Sequence, residues 1–173
     1  MTNKTPRTGR RNERGGALVE FATVLPVFLI FLFGIIDFGF VFSQRLELLA
    51  GLRTATRDAA VASWTENASC STGAADGTKD LICTVKAQFS NPVAVKVRLL
   101  DPDGGSPDYA VDNTLLVCVM EPTYSTTSFY SAVLDNHVQT GRMAVRVEKV
   151  HDSDTISEYQ EPALTGGSWS FCV

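Results

Sequence analysis

The chain is short of the residues that most often do chemistry. It has only 2 histidines among 173 residues, and neither His137 nor His151 stands in a recognisable catalytic motif. No G-x-S-x-G turn and no phosphate-binding glycine loop occurs, so the sequence argues against an enzyme. Close Cys-x2-Cys spacings are missing too, which removes the usual zinc arrangement. Basic residues are outnumbered, 15 Lys+Arg against 19 Asp+Glu for a formal charge of −4, and that balance argues against nucleic acid as the partner. A hydrophobic share of 45% excludes a mostly disordered chain, and 13 Gly with 7 Pro exclude a collagen-like one. No cofactor is expected, and no internal repeat is evident.

The most informative scarcity is local. From Phe21 to Ile36 no side chain ionises, and the wider apolar block Ala17–Phe42 holds only Glu20 and Asp37. As a helix this block of 26 residues would run about 39 Å, against about 30 Å for a hydrocarbon core. The uncharged centre alone falls just short of a span, so Asp37 is expected near the outer interface. Residues 1–16 carry five basic side chains against Glu13, a net of +4, while the remainder carries 10 basic and 18 acidic ones. Basic residues ahead of an apolar block place the N-terminus in the cytoplasm and the chain after about 43 on the other side. A buried core helix would not need that charge pattern. A removable secretory signal would need a shorter apolar run and a small-x-small site, and Asp37-Phe-Gly-Phe-Val-Phe-Ser supplies none.

Where the leader meets the helix the sequence runs Arg14-Gly15-Gly16-Ala17-Leu18-Val19-Glu20-Phe21. An acidic residue deep in a bilayer costs on the order of 3 kcal/mol, less near the interface, and a purely structural span has no use for one. The glycines pack no side chain, which leaves them accessible to a protease. This junction resembles the class III signal of type IV prepilins. More closely, GALVEFATVLPVFLIFLFGIIDFG followed by an Arg/Ala-rich helix resembles the TadE-like minor pilins, or pseudopilins, of the tight-adherence (Flp, type IVc) pilus system. The resemblance covers about residues 9–62.

It implies cleavage by a prepilin peptidase on the cytoplasmic face, after a glycine, with glutamate fifth in the mature chain and an aromatic next. A cut between Gly15 and Gly16 makes Glu20 fifth and Phe21 sixth; a cut after Gly16 makes Glu20 fourth, so the former is preferred. The new α-amine on Gly16 would have an ordinary pKa of about 8. In the pilin arrangement Glu20 of an entering subunit faces that amine on a neighbour, and a misregistered neighbour would leave two buried charges unpaired. The implied partners are the peptidase, other pilin subunits, the inner-membrane assembly platform and membrane lipid. The alternative is an uncleaved, single-pass anchored binding module facing out of the cytoplasm. Ile35-Ile36-Asp37-Phe38-Gly39 is reminiscent of the family without suggesting a role for Asp37. Pro26 frees the carbonyl of Ala22 and predicts a kink, and Gly34 and Gly39 would permit close packing.

Residues 43–63 continue the helix, with Leu46, Leu49, Ala50, Ala60 and Val61 near one stripe. Together these make a rod from Ala17 to about Trp64. Apolar positions 81, 82, 85 and 89 predict a short helix over Lys79–Phe89, stopped by Asn91-Pro92. Val93–Leu99 alternates as a half-buried strand, Leu115–Met120 is a more apolar second strand, and Met143–Val150 a third. A short helix is placed around Ser128–Leu134. The organisation is thus a basic leader (1–15), a membrane and stem helix (16–64) and a head (65–173). The fold class is α+β, the head carrying a three- or four-stranded antiparallel sheet.

All four cysteines, Cys70, Cys83, Cys118 and Cys172, follow the membrane block. An even number outside the cytoplasm favours two disulfides. Three pairings are possible; the preferred one joins Cys70 to Cys83 and Cys118 to Cys172, the second tying the C-terminus to a strand. Free buried thiols are the alternative. Asp101-x-Asp103-Gly104 with Asp108 clusters carboxylates as a calcium ion would need. It departs from the EF-hand pattern, and Asp-Gly beside Pro is ordinary turn chemistry. No metal site is expected.

Overall fold

The computed structural model describes residues 13–64, 70, 72–74, 76–101, 108–135, 137–150 and 156–173. Most of the basic leader (1–12), Asp103, Gly104 and His151 therefore lie outside the described residues. Helix α1 spans Glu13–Ala60 without interruption, passing through Pro26. It starts four residues before the rod expected from Ala17 and ends four before Trp64. Its end closes on itself: Ala62 takes a left-handed φ of 50°, and Ser63 N–H donates to Asp58 O at 2.9 Å. This six-to-one closure usually carries glycine.

The head follows as α2 (Asp76–Ala87), β1 (Ala94–Leu100), β2 (Thr114–Pro122), α3 (Ser131–Leu134), β3 (Val138–Arg146), β4 (Tyr159–Gln160) and a 3-10 turn at Trp169–Phe171. The four strands form one antiparallel sheet in the order β3-β2-β1-β4. Strand β4 was not anticipated: two residues carry no periodicity, and only Lys96↔Gln160 and Val97↔Tyr159 define it.

Strand alternation sorts the core into two layers. Val95, Val97 and Leu99 of β1 and Leu115, Val117 and Val119 of β2 face α1 and α2, packing with Leu48, Leu52, Ala55, Ala59, Leu81, Ile82 and Val85. On the other face Ala94, Leu116, Cys118 and Met120 are covered by Trp169 and Cys172. Strand β2 is thus buried on both sides, which accounts for its nearly unbroken apolar run.

Two sequence expectations need correction. The stem packs through Leu48, Leu52, Ala55, Thr56 and Ala59, a true i, i+3/i+4 stripe. Leu46 and Val61 are exposed and Ala50 is too, so of the stripe first assigned only Ala60 is buried, with Leu49 half-buried. The third strand begins at Val138 rather than Met143 and ends at Arg146. Beyond it the backbone leaves the sheet, and Glu148 and Lys149 N–H donate to Ala60 O at 2.8 and 3.1 Å. Val147 still pairs ahead of β2, its N–H donating to Asn113 O at 2.9 Å; the carbonyls at a helix end need donors, and this demand takes Glu148 and Lys149 away from the sheet. The short third helix likewise starts at Ser131, not Ser128.

The approach of α1 to the sheet is close at one glycine. A Cβ on Gly141 would lie 3.0 Å from Leu48 Cδ2 and 3.2 Å from Leu52 Cδ2. Disulfides join Cys70 to Cys83 and Cys118 to Cys172, the pairs preferred from the sequence. The first fastens the loop after α1 to α2; the second fastens the C-terminal segment to the central strand. Three side-chain oxygens among the described residues, Gln44 Oε1, Glu121 Oε2 and Gln139 Oε1, are buried without a hydrogen-bond partner, although Glu121 Oε1 accepts from Asn91 Nδ2 at 2.7 Å.

Candidate functional site

Most of α1 ahead of the head is bare. Leu18, Val19, Phe21, Val24, Phe28, Phe31 and Ile35 are exposed, and the helix is long and apolar enough to cross a membrane. This N-terminal apolar helix suggests a membrane anchor. Gly15 and Gly16 lie in its first turns, where a Cβ on either would meet nothing within 4 Å. Glu20 and Phe21 are exposed one turn further on, and Thr23 Oγ1 donates to Glu20 O at 2.8 Å. These four positions share the bare stretch, and among the described residues no hydrogen bond or ring contact brings the head to them.

The feature the sequence did not foretell is around Asp37. This carboxylate has 0% of its surface exposed, although it belongs to the apolar block. It is enclosed by a loop of the head some 88 residues away. Oδ1 accepts from the backbone N–H groups of Thr126 and Thr127 at 3.1 and 2.9 Å. Oδ2 accepts from Ser125 Oγ at 3.1 Å and from Thr127 Oγ1 at 2.6 Å. Four donors on one carboxylate satisfy a charge that would otherwise be prohibitive to bury. The loop is closed on itself as well, with Ser125 N–H donating to Asp135 Oδ1 at 2.9 Å. Ser128, at a left-handed φ of 60°, turns the chain back along the helix.

Past that turn the loop lays two aromatic rings on α1. Phe129 meets Phe33 at 5.6 Å between ring centroids, Tyr130 meets Phe38 at 6.0 Å, and the two loop rings pack edge-on at 5.1 Å. Tyr130 Oη donates to Ile30 O at 3.0 Å. Gly34 makes room for it, since a Cβ there would lie 3.3 Å from Tyr130 Oη. Gly39 has no such neighbour. Ile30, Phe31, Gly34, Ile35, Phe38 and Tyr130 line a shallow apolar groove of about 340 Å³.

Further along, Gln139 Nε2 donates to Val41 O at 3.1 Å and an Arg45 guanidinium N–H to Thr140 O. The head therefore grips α1 from Ile30 to Ala60, along one side only, and leaves the helix from Gly15 to Leu29 uncovered.

Signals for this clasp were weak. Asp37 stands out in the sequence as the one acid near the end of an apolar run, but its partners Ser125, Thr126 and Thr127 look like any polar turn. A hydroxyl-rich triplet followed by two aromatic residues has no periodicity to link it to a helix far upstream.

The other candidate chemistry is placed apart from this clasp. Asp108 Oδ1 accepts from Asn113 Nδ2 at 2.7 Å as part of a turn, whereas Asp103 lies outside the described residues. Among the described residues no group of three or more His, Cys, Asp or Glu is arranged to hold a metal ion. His137 donates its backbone N–H to Leu134 O at 3.1 Å.

No curated protein and no solved structure matches the chain. The bare helix, its glycine and glutamate junction and the first turns of the stem are the part that compares with known sequences: residues 15–57 match the TadE family of TadE-like proteins, so over its long N-terminal helix the chain is similar to the TadE-like proteins of the tight-adherence pilus system.

Proposed function

We propose that the chain is a minor pilin or pseudopilin that is processed by a prepilin peptidase and takes part in assembling a tight-adherence (Flp, type IVc) pilus. One observation carries the reading. The stretch that matches the TadE family, 15–57, coincides with an apolar helix whose first half is left bare by its own head. A surface of that kind suits lipid before assembly and other pilin helices after it.

In this reading the leader lies in the cytoplasm and the head outside it. The peptidase cuts between Gly15 and Gly16, and Glu20 of an incoming subunit pairs with the Gly16 amine of a neighbour. Neutralising two buried charges favours one register over its shifted alternatives. Phe21 beside Glu20 presents an aromatic ring to the same neighbour. The disulfides fit a head that works in an oxidising compartment. The protein is the peptidase's substrate and not itself an enzyme, and its other partners are pilin subunits and the inner-membrane platform.

One observation favours the second reading, an uncleaved anchored binding module. The Gly15–Gly16 peptide lies inside α1, which starts at Glu13, and a peptidase must unwind that turn. Two glycines in a row lower the cost of doing so by about 1 kcal/mol each relative to alanine. Mass analysis of the N-terminus after membrane extraction decides between the two. A chain starting at Gly16 is the expected result, and an intact leader in cells with active peptidase would refute it. Glu20→Ala should insert normally and fail to enter filaments.

A further inference from the structure

The geometry points to a second membrane contact in this protein: the clasp loop of the head, led by Phe129 and Tyr130, is immersed in the outer leaflet of the bilayer beside α1. The inference rests on reading α1 as a membrane span. Its argument is one of depth. A span needs about 20 residues, and every window of that length within Ala17–Phe42 contains residues 23–36. A window moved back to begin at Gly15 still reaches residue 34. Ile30, Phe33 and Gly34 thus lie at hydrocarbon depth in any placement. These are the residues that Tyr130 and Phe129 touch, through the Tyr130 Oη bond to Ile30 O, the ring contact with Phe33 and the close approach to Gly34. With about 1.5 Å of rise per residue, Ile30 lies about 10 Å below Asp37.

The loop has the character that such a position demands. Phe129 is 54% exposed and Val133 58%; Phe129 packs on Tyr130, which lines one apolar groove with Phe31, Ile35 and Phe38 of the helix. Irregular backbone is tolerated at membrane depth only where its polar groups are satisfied by protein. Here Asp37 supplies that service, taking the Thr126 and Thr127 N–H groups together with the Ser125 and Thr127 hydroxyls. Phe129 N–H turns to Thr127 Oγ1 at 3.4 Å, and Val133 and Leu134 N–H to Tyr130 O at 2.9 Å each. A carboxylate in an apolar block and a hydroxyl-rich loop, each costly in lipid alone, satisfy one another's hydrogen bonds. The occupant of the exposed side is therefore acyl chain, since the rings lie against helix residues at hydrocarbon depth.

The test uses the full chain in phosphatidylcholine vesicles, with Phe129→Trp as the probe and the emission of the unmodified protein subtracted. Lipid brominated midway along its acyl chains should quench the added emission by about half or more, because the probe sits within the hydrocarbon region. Aqueous acrylamide should leave it nearly unchanged. Quenching by acrylamide and not by bromolipid would overturn the inference. Protection from both would overturn it too, since the patch would then be buried against protein. Phe28→Trp is the companion probe on α1: if it is quenched by bromolipid while Phe129→Trp is not, the span stands and the immersed loop fails. If neither is quenched, both fail. Val133→Trp repeats the measurement should Phe129→Trp fail to form the Cys118–Cys172 disulfide.

Discussion

The bond set around Asp37 makes a sharp prediction about two substitutions. Asp37→Ala removes the acceptor from two backbone N–H groups and two hydroxyls. The hydroxyls can rotate to other acceptors, but the Thr126 and Thr127 N–H groups are fixed by the loop. The two N–H groups are partly buried, and leaving a donor there unsatisfied costs about 1–3 kcal/mol, so losing both acceptor contacts weakens the clasp by about 2 kcal/mol. Asp37→Asn behaves differently. Its Oδ1 still accepts both N–H groups, and its amide donates to the Ser125 and Thr127 hydroxyls, which accept as readily as they donate. What it loses is the charge assistance, about 1 kcal/mol. Amide hydrogen exchange on the full chain in lipid reads the difference residue by residue. At about 1.4 kcal/mol per tenfold, Asp37→Ala should speed exchange at Thr126 and Thr127 by about 30-fold. Asp37→Asn should change it by less than about tenfold, and the β2 amides should be unaffected by either. Equal effects of the two variants, or no effect at the two threonines, would refute the account of Asp37 as an acceptor that holds the loop.

Three further outcomes follow from other parts of the head. Removing the Cys118–Cys172 bond as the double alanine variant opens a loop with a sequence separation of 54, against 13 for Cys70–Cys83. Chain entropy then predicts losses of about 4 and about 3 kcal/mol respectively; denaturation of the two variants should rank them in that order, and a reversed order would count against the entropic origin. Glu121 has its pKa raised, first by burial and further by the charge of Glu47, with the Asn91 hydrogen bond opposing them. The folded protein therefore holds this proton more tightly than the unfolded chain. The stabilising contribution of the protonated form is complete below the ordinary carboxylate range and is lost as pH rises through the raised value. Relative to Glu121→Gln, the natural protein should gain stability on acidification from neutral pH, and parallel stability curves for the two would contradict this. Gly141→Val, finally, drives side-chain atoms into Leu48 and Leu52, where overpacking costs about 1–3 kcal/mol; an unchanged melting temperature would show that α1 can move away from the sheet.

The sequence by itself determined whatever depends on neighbours along the chain. The apolar run to Phe42 requires a long helix that hides from water, because its length and lack of charge leave few other environments. Alternation at Val93–Leu99 and the solid run at Leu115–Met120 fixed two central strands, since side-chain direction in a strand repeats every two residues. The cysteine positions left three pairings, and the reasoning that the C-terminus needed a tether selected the one that the fold contains.

Tertiary structure alone decided the rest. Which side of the stem packs was misjudged because Ala and Leu recur on several faces between 46 and 61; only the approach of Gly141 selects Leu48 and Leu52. Residues 147–150 alternate like a strand, yet the open carbonyl of Ala60 takes the N–H groups of Glu148 and Lys149. Strand β4 exists through two register pairs with β1. Asp37 shows the difference most clearly. In the sequence it is an unexplained charge at the end of an apolar helix, and its meaning comes from three residues about 90 positions later. A buried charge states that donors must come from somewhere; which donors come is settled by how the chain returns to the helix.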